Sequence, residues 1–269
     1  MVSVAEDSAF DNGTRPGDMT WMLSDIVRYL DEYLRTATVH DYPGAWNGLQ
    51  IENRGEVTRL GAAVDACEAV MVEAVRRGVD LLLVHHGLFW VPGTLTGAMY
   101  RKTRAAYGGN MALYSSHLPL DLHPEVGNNA LLCSALGVEI TEPFLAVKGQ
   151  SAGLRGCLEI SRDALVDLVK AAVGGPVHLC PGGPEFISRV GVCTGGAGGE
   201  AARAAAEGVD TFITGEGPHH SWTLAEELGI NLLYAGHYAT ETFGVRALAA
   251  HAAAKFGLPW EWIDHPTGL

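Results

Sequence analysis

The most regular feature of the chain is an alternation of short apolar runs with amphipathic segments, beginning near residue 58. Continuous apolar runs such as residues 81–84 and 111–114 are typical of strands that are covered on both faces. Residues 68–77 have helical spacing and are followed by Gly78, a common helix terminator. This strict alternation predicts an α/β fold of two βαβ-type halves with mostly parallel sheets.

Three segments outside this alternation give weaker signals. Residues 21–35 place apolar side chains on one helical face, and Thr20 is suited to cap the start of that helix. Residues 142–153 lack a clear period and are interpreted as a connector. The acidic residues 1–19 are predicted to be a loose extension. The first α/β half is then expected over residues 20–145 and the second over residues 146–269, with a site between the halves.

Two gapless matches relate the two halves to each other. Both keep the apolar strand pattern, and the second also keeps a histidine followed four residues later by an acid. The matched pairs are residues 60–64 with 190–194, His85-His86 with Gly215-Glu216, His117 with His237, and Asp121 with Glu241. Identity is low, so a chance likeness of two βαβ units is the alternative. A true repeat predicts pseudo-symmetric halves whose strand ends face one cleft.

Three segments carry side chains that bind metals, and each follows an apolar run. The pair His85-His86 ends one run, whereas the other two segments each hold a histidine and a carboxylate. Sites in α/β sheets form at the carboxyl ends of strands, so we expect the three segments to converge. Imidazole and carboxylate together favour transition metals such as Zn, Mn, Fe, Co or Ni over Ca or Mg.

The adjacency of His85 and His86 argues for two metal ions. Neighbouring side chains on a strand point to opposite faces, but at a strand end they can serve two ions that a carboxylate bridges. We predict Glu241 as the bridge and Asp121 as a ligand of one ion. The proline between His117 and Asp121 predicts an extended loop, and His117 is either a ligand or a residue that orients one. A hydrogen-bonded structural histidine is the alternative for each histidine taken singly.

The pair His219-His220 forms a further histidine cluster after a glycine- and proline-containing turn. We predict that His219 or His220 carries protons during catalysis, and we expect the catalytic residues to be His220 and the bridging Glu241. The alternative for this pair is an ordinary helix start.

Composition and charge narrow the functional classes. The chain has 269 residues, of which 48% are hydrophobic and 18% charged, and its formal net charge is −13. An acidic protein is a poor partner for nucleic acid, because phosphate binding needs basic surface. The 5 cysteines are widely spaced and no apolar run reaches membrane-spanning length. These features predict a cytoplasmic protein with reduced thiols and no membrane or nucleic-acid partner.

The motifs resemble those of the NIF-three-like family, also described as dinuclear-metal-centre hexameric proteins or as GTP cyclohydrolase I type 2-like proteins. The resemblance covers nearly all of the chain from about residue 20. The matching stretches are residues 46–50, 78–90, 117–121 with 127–129, 193–196, 212–216 and 236–241.

This resemblance implies a homohexamer in which each subunit holds two divalent transition-metal ions. By motif position, the implied ligands are His85, His86, Asp121, His237 and Glu241, and His117 becomes a residue that supports the ligands. The ligand set agrees with the one that the spacing predicts.

Two functions are the main candidates for such a site, and a structural scaffold whose metals only hold the two halves together is a third. The leading hypothesis is a metal-dependent hydrolase in which hydroxide shared by two ions attacks an electrophilic carbon of a nucleotide-like or other small-molecule substrate. The alternative is a non-enzymatic hexameric assembly that handles metal or regulates another process. The two differ in whether the protein turns over a substrate.

Overall fold

The computed structural model describes residues 19–91, 93–147 and 149–269. The predicted N-terminal extension lies outside the described residues except for Met19. None of the described helices is long and apolar enough to cross a membrane.

Strands and helices alternate through most of the described chain. The strands are β1 (Trp21–Met22), β2 (Gly48–Ile51), β3 (Glu56–Val57), β4 (Leu60–Asp65), β5 (Leu81–His86), β6 (Ala112–Ser115), β7 (Glu139–Val147), β8 (Gln150–Ser161), β9 (His178–Pro181), β10 (Phe186–Cys193), β11 (Thr211–Thr214), β12 (Asn231–Tyr234) and β13 (Trp260–Trp262). The helices are α1 (Leu23–Tyr33), α2 (Glu68–Arg76), α3 (Gly97–Gly108), α4 (Leu118–Asp121), α5 (Asn128–Leu136), α6 (Arg162–Val173), α7 (Ala201–Ala206), α8 (His220–Leu228) and α9 (His237–Phe256), with a 3-10 helix at Gly198–Glu200.

Two larger sheets form the framework of the molecule. The first has the strand order β13-β4-β5-β6-β2, and the second has the order β7-β8-β10-β11-β12-β9. Neighbouring strands from β13 to β6 run parallel, as do β10, β11 and β12. The remaining strands of both sheets pair antiparallel, outside these parallel blocks. The predicted α/β fold is confirmed.

The predicted repeat corresponds to the parallel core of each sheet. Strands β4, β5 and β6 lie side by side in one sheet, and β10, β11 and β12 lie side by side in the other. In both sheets a helical segment follows each of the first two strands. The matched sequences therefore occupy equivalent positions in the two sheets.

Three local predictions are wrong. The first helix begins at Leu23 with Met22 as its N-cap, not at Thr20, because Trp21 and Met22 pair with β3. Residues 142–153 are not a connector but belong to the β7–β8 hairpin, whose long antiparallel pairing supplies order that the sequence period does not show. The segment before Asp121 is a short helix, because proline is tolerated in a first helical turn.

Helix α9 joins the two sheets. It follows β12 of the second sheet, yet Leu248, Ala252 and Phe256 are buried in one apolar core with Leu60 and Leu83 of the first sheet. Its first turn consequently lies at the junction of the sheets. Strand β13 also returns to the first sheet, while β7 of the second sheet already begins at residue 139. The predicted domain boundary at residues 145 and 146 stays a prediction.

Candidate metal centre

The three predicted segments meet at the junction of the two sheets. His85 and His86 are the last residues of β5, and Asp121 is the last residue of α4. His237 begins α9, and Glu241 follows one turn later on the same helix face. The fold therefore brings together side chains from both sequence halves.

Glu241 lies in the middle of this cluster and is 3% exposed. Its Oε1 atom is 3.4 Å from Nε2 of His85. Its Oε2 atom is 3.3 Å from Nε2 of His86 and 3.2 Å from Nε2 of His237. The two oxygens of one carboxylate thus face different imidazoles, which is the arrangement that a bridging carboxylate requires.

Two overlapping groups of side chains have the spacing of metal ligands. In the group His86, His237 and Glu241, and in the group His85, His86 and His117, the candidate ligand atoms lie within 4.8 Å of one another. Asp121 adds a carboxylate on the His85 side, where its Oδ2 atom is 3.5 Å from Nε2. The two groups share His86 and lie side by side.

The outer nitrogen of each predicted ligand histidine has a fixed acceptor. Nδ1 of His85 donates to the carbonyl of Ser116 at 2.9 Å. Nδ1 of His86 donates to Asp65 at 2.9 Å, and Nδ1 of His237 donates to Glu216 at 2.7 Å. A carbonyl or carboxylate oxygen can only accept, so Nδ1 carries a hydrogen in each ring. Nε2 is therefore the nitrogen that can bind a metal once it has released its own proton. Such acceptors orient metal-binding imidazoles and raise their basicity.

Asp121 is held by Asn128 and Asn129 at the start of α5, and the side chain of Asn129 donates to the backbone carbonyl of Asp121 at 3.1 Å. Its Oδ1 atom accepts a hydrogen bond from the side chain of Asn128 at 2.7 Å, so that Oδ2 faces His85. The other end of the Asn128 amide accepts from the backbone N–H of Gly244 in α9 at 2.6 Å. One buried asparagine therefore connects Asp121 to the helix that carries Glu241.

The electrostatics of the cluster favour a positive charge. Burial lowers the pKa of His85, but the carboxylates of Asp121 and Glu241 outweigh burial and raise it to about 10. Burial likewise lowers the pKa of His237, and Glu241 and Glu216 raise it to about 9. Burial raises the pKa of Glu241, but the facing imidazoles hold it well below its usual range. Cations near these carboxylates are stabilised.

Two buried polar atoms in the cluster indicate whether a metal ion fits there. Nε2 of His85 and Oε2 of Glu241 are buried, and their contacts of 3.2–3.5 Å with neighbouring carboxylates and imidazoles lack the geometry of hydrogen bonds. Leaving such atoms unpaired costs free energy, and buried charges are normally paired or bind metals. Imidazole nitrogen and carboxylate oxygen suit divalent transition metals. The residues present therefore fit a metal site, and the His/Glu cluster could hold a metal ion.

His117 lies beside the cluster and is held by a residue that sequence reasoning missed. Its Nδ1 atom donates to Asp41 at 2.9 Å, and its ring centroid is 5.0 Å from that of His85. Burial raises the pKa of Asp41, but the hydrogen bond from His117 and its charge outweigh burial and lower it to about 2. The structure is compatible with both roles that were considered for His117.

His220 does not join the cluster by any contact among the described residues. It is the first residue of α8, its side chain is exposed, and His219 precedes the helix as its N-cap. The helix-start interpretation describes its position, and its role as a proton carrier stays a prediction.

Three supporting acids were not predicted. The role of Glu216 could have been predicted from the repeat, because Glu216 aligns with His86. The role of Asp65 had weaker support in the sequence, from its position as the last residue of a strand. Asp41 lies in a turn-rich loop far from His117 in sequence, and only tertiary packing reveals the pair.

Comparisons with known proteins agree with this fold. Residues 21–266 match the model of the Duf34/NIF3 (NGG1p interacting factor 3) family. A protein from Deinococcus radiodurans named GTP cyclohydrolase 1 type 2 homolog is 43% identical, and the match covers 91% of this chain and 94% of that protein. A protein of the same name from Pyrococcus abyssi is 41% identical, with 91% and 98% covered.

Among solved structures, the protein TTHA1606 from Thermus thermophilus is similar, with a TM-score of 0.85 and 40% identity over 93% of this chain and 100% of that chain.

Fold and site together define an α/β protein with a candidate metal centre between two sheets. The chain belongs to the DUF34/NIF3 family, as the resemblance of its motifs predicted.

Proposed function

We propose that the cluster is a dinuclear metal centre and that the protein is a metal-dependent hydrolase. The observation that carries this proposal is the position of Glu241, whose Oε1 faces His85 and whose Oε2 faces His86 and His237. A carboxylate placed in this way can bridge two ions, and adjacent histidines at a strand end can then serve one ion each.

The ligands of the proposed centre are His85, His86, Asp121, His237 and Glu241. When bound by these residues, two divalent transition-metal ions would supply Lewis-acid charge and would lower the pKa of water toward neutral pH. The metal would be one of Zn, Mn, Fe, Co or Ni, because the donors are nitrogen and oxygen.

The chain itself contributes orientation and exclusion of water. Ser116, Asp65 and Glu216 fix the three imidazoles with their Nε2 atoms toward Glu241. His85 and Glu241 are buried, so charge interactions there are stronger than at a surface. In this proposal His220 carries protons between the site and solvent.

The proposed substrate is a nucleotide or a similar small molecule. The name of the relatives, GTP cyclohydrolase 1 type 2 homolog, supports an electrophilic ring carbon as the point of attack. The alternative function, non-enzymatic metal handling, uses the same ligands but releases no product.

The deciding experiment combines metal analysis with a product assay. Protein purified without chelators is expected to contain two metal ions per chain by mass spectrometry of the elements. Formate release from GTP is expected for the wild type and for Glu159→Ala, an exposed control on β8, but not for Glu241→Ala. Two ions with equal formate release in all three proteins would support metal handling. Absence of metal from the wild type would overturn both functions.

The homohexamer and the cytoplasmic location also stay predictions. A homohexamer is expected to show six times the chain mass of 28.5 kDa by light scattering coupled to gel filtration.

A further inference from the structure

A separate cavity of about 680 Å³ lies beside the candidate metal centre. Tyr238, Thr242 and Arg246 line it from α9, and they form one stripe along the helix because they are spaced four residues apart. His237 and Glu241, which belong to the metal centre, lie on the neighbouring stripe. Pockets that bind small molecules typically enclose about 300–1,000 Å³, so this α9 cavity has a suitable size.

One wall of the α9 cavity is fixed by Tyr238. The Tyr238 hydroxyl donates to Asp264 at 2.7 Å and accepts from the backbone N–H of His265 at 2.9 Å. The backbone N–H of Tyr238 donates to the backbone oxygen of Leu269 at 2.9 Å. These three hydrogen bonds fasten the segment after β13 to the start of α9, so the cavity has a defined shape.

The carboxylates that line the α9 cavity already have hydrogen-bond donors. Glu216 accepts from Nδ1 of His237, and Asp264 accepts from the Tyr238 hydroxyl. Neither carboxylate therefore needs a ligand to satisfy it. Each also holds a neighbouring residue in place, so a ligand that displaced either contact would weaken the structure.

Arg246 also lines the α9 cavity, but it has no partner of opposite charge among the described residues. Arg246 is an exposed residue whose guanidinium lies over the ring of Trp262, with Cζ 5.6 Å from the ring centroid, and it forms no ion pair with any described residue. A cation–π contact uses the flat face of the guanidinium and leaves its N–H edge available. That edge matches a carboxylate, which accepts two parallel hydrogen bonds from arginine.

The remaining lining is suited to an apolar body. Tyr238, Ala239, Ala235 and Trp262 contribute carbon atoms to the lining of the cavity that Arg246 also lines. Burial of apolar ligand surface against such residues favours binding in proportion to the area removed from water.

We propose that the α9 cavity binds a small organic carboxylate, with the acid on the edge of Arg246 and an apolar ring or chain against Tyr238, Ala239 and Trp262. The ligand contacts and the charge that carry this inference do not involve the metal ions. Glu216, which holds His237, also lines the cavity, so the site adjoins the proposed catalytic centre, but ligand binding can be tested without any assay of activity.

The experiment measures binding of benzoate and of its neutral isostere benzamide to the full chain by ligand-observed NMR. Benzoate is expected to bind wild-type protein with a Kd on the order of 1 mM, as befits a ligand of this size. Benzamide is expected to bind at least tenfold more weakly, because it cannot pair with the guanidinium as an anion. Equal affinity for the two compounds would contradict the proposal.

Variants separate the charge from the shape of the cavity. Arg246→Gln is expected to weaken benzoate binding at least tenfold and to leave benzamide binding unchanged, whereas Lys255→Gln, on the same helix but outside the cavity lining, is expected to change neither. Ala239→Leu fills part of the cavity and is expected to weaken both compounds. Melting curves monitored by circular dichroism establish that the variants are folded.

Three outcomes would overturn the proposal: no saturable binding of benzoate to the wild type, undiminished binding to Arg246→Gln, or undiminished binding to Ala239→Leu.

Discussion

Nε2 of His85 lies 3.4 Å from Oε1 of Glu241, although the two residues belong to different halves of the sequence. His85 ends a strand of the first sheet, and Glu241 lies near the start of the helix that follows the last parallel strand of the second sheet. Because α9 packs its apolar face on the first sheet, its first turn brings Glu241 to His85. The site thus depends on the crossing of one helix between two sheets.

The acids behind the imidazoles are expected to control metal affinity. In Glu216→Gln the amide can still accept a hydrogen bond from His237, but the negative charge that raises the basicity of the imidazole is lost. Changes at such positions typically reduce affinity about 10–100-fold. Competition with a chromophoric chelator measures this, with Glu159→Gln as the control for loss of a remote carboxylate. Equal affinities in the two variants would contradict a supporting role for Glu216.

Metal removal is expected to lower stability without unfolding the chain. An ion that binds only the native state stabilises it by about 2.7 kcal/mol at one hundred times its Kd, which corresponds to about 5–10 °C in melting temperature. Each sheet has its own buried apolar core, so the protein without metal should remain folded. Calorimetry before and after chelation measures the difference.

The ligand variant His86→Ala should show no such metal-dependent difference, whereas the exposed control His265→Ala should retain it. Complete unfolding of the wild type on chelation would show instead that the metals hold the two sheets together.

Asn128 is expected to be a large contributor to stability. It is fully buried, and Asn128→Ala would leave the Gly244 N–H without its partner and Oδ1 of Asp121 with only a 3.5 Å contact from the Thr194 hydroxyl. Unsatisfied buried groups cost about 1–3 kcal/mol each, so the free energy of unfolding should fall by about 3 kcal/mol. Urea denaturation measures this change. Ser134→Ala, on the exposed face of the same helix, should stay within about 0.5 kcal/mol of the wild type.

Gly215 is expected to tolerate no side chain. A Cβ atom there would lie 2.6 Å from the carbonyl oxygen of Gly195 and 2.6 Å from Cα of His237. Both are backbone atoms, so Gly215→Ala should displace the start of α9, reduce stability by about 1–3 kcal/mol and weaken metal binding. At Gly108 a Cβ atom meets nothing within 4 Å, so Gly108→Ala is the matched control and should be neutral or stabilising. Denaturation and metal titration of both variants test this difference.

The thiols are expected to differ sharply in reactivity. Cys157 is exposed, Cys67 is half-buried, and Cys133, Cys180 and Cys193 are buried. Burial raises the pKa of Cys133 to about 12 and raises that of Cys193 further, which disfavours the reactive thiolate. A disulfide reagent should modify Cys157 fastest, and Cys157→Ser should remove the fast phase. The buried thiols should react only as the protein unfolds, and their rapid modification in native protein would contradict this burial.

Most of the strands and helices could be predicted, because hydrophobic periodicity and the glycine and proline residues that end elements are local properties of the sequence. Runs such as residues 81–84 and 111–114 correspond to β5 and β6, and the match of His117 with His237 reflects equivalent strand ends in the two sheets. The β7–β8 hairpin was not predicted, because it is ordered by hydrogen bonding between its two strands and neither strand has a clear hydrophobic period in its sequence. The proline before Asp121 led to the wrong prediction of an extended loop, because proline is compatible with the first turn of a helix as well as with a loop.

The sequence by itself determined the types of elements and the candidate ligands, because hydrophobic spacing and the positions of histidine and carboxylate side chains can be seen directly in the order of residues. Only the tertiary structure decided which oxygen of Glu241 faces which imidazole, and that Asp65, Glu216 and Asp41 hold the rings. The same holds for the cavity beside α9, whose walls come from segments far apart in sequence. These relationships depend on how two sheets and a shared helix pack, and packing is set by contacts across the whole fold rather than by any single stretch.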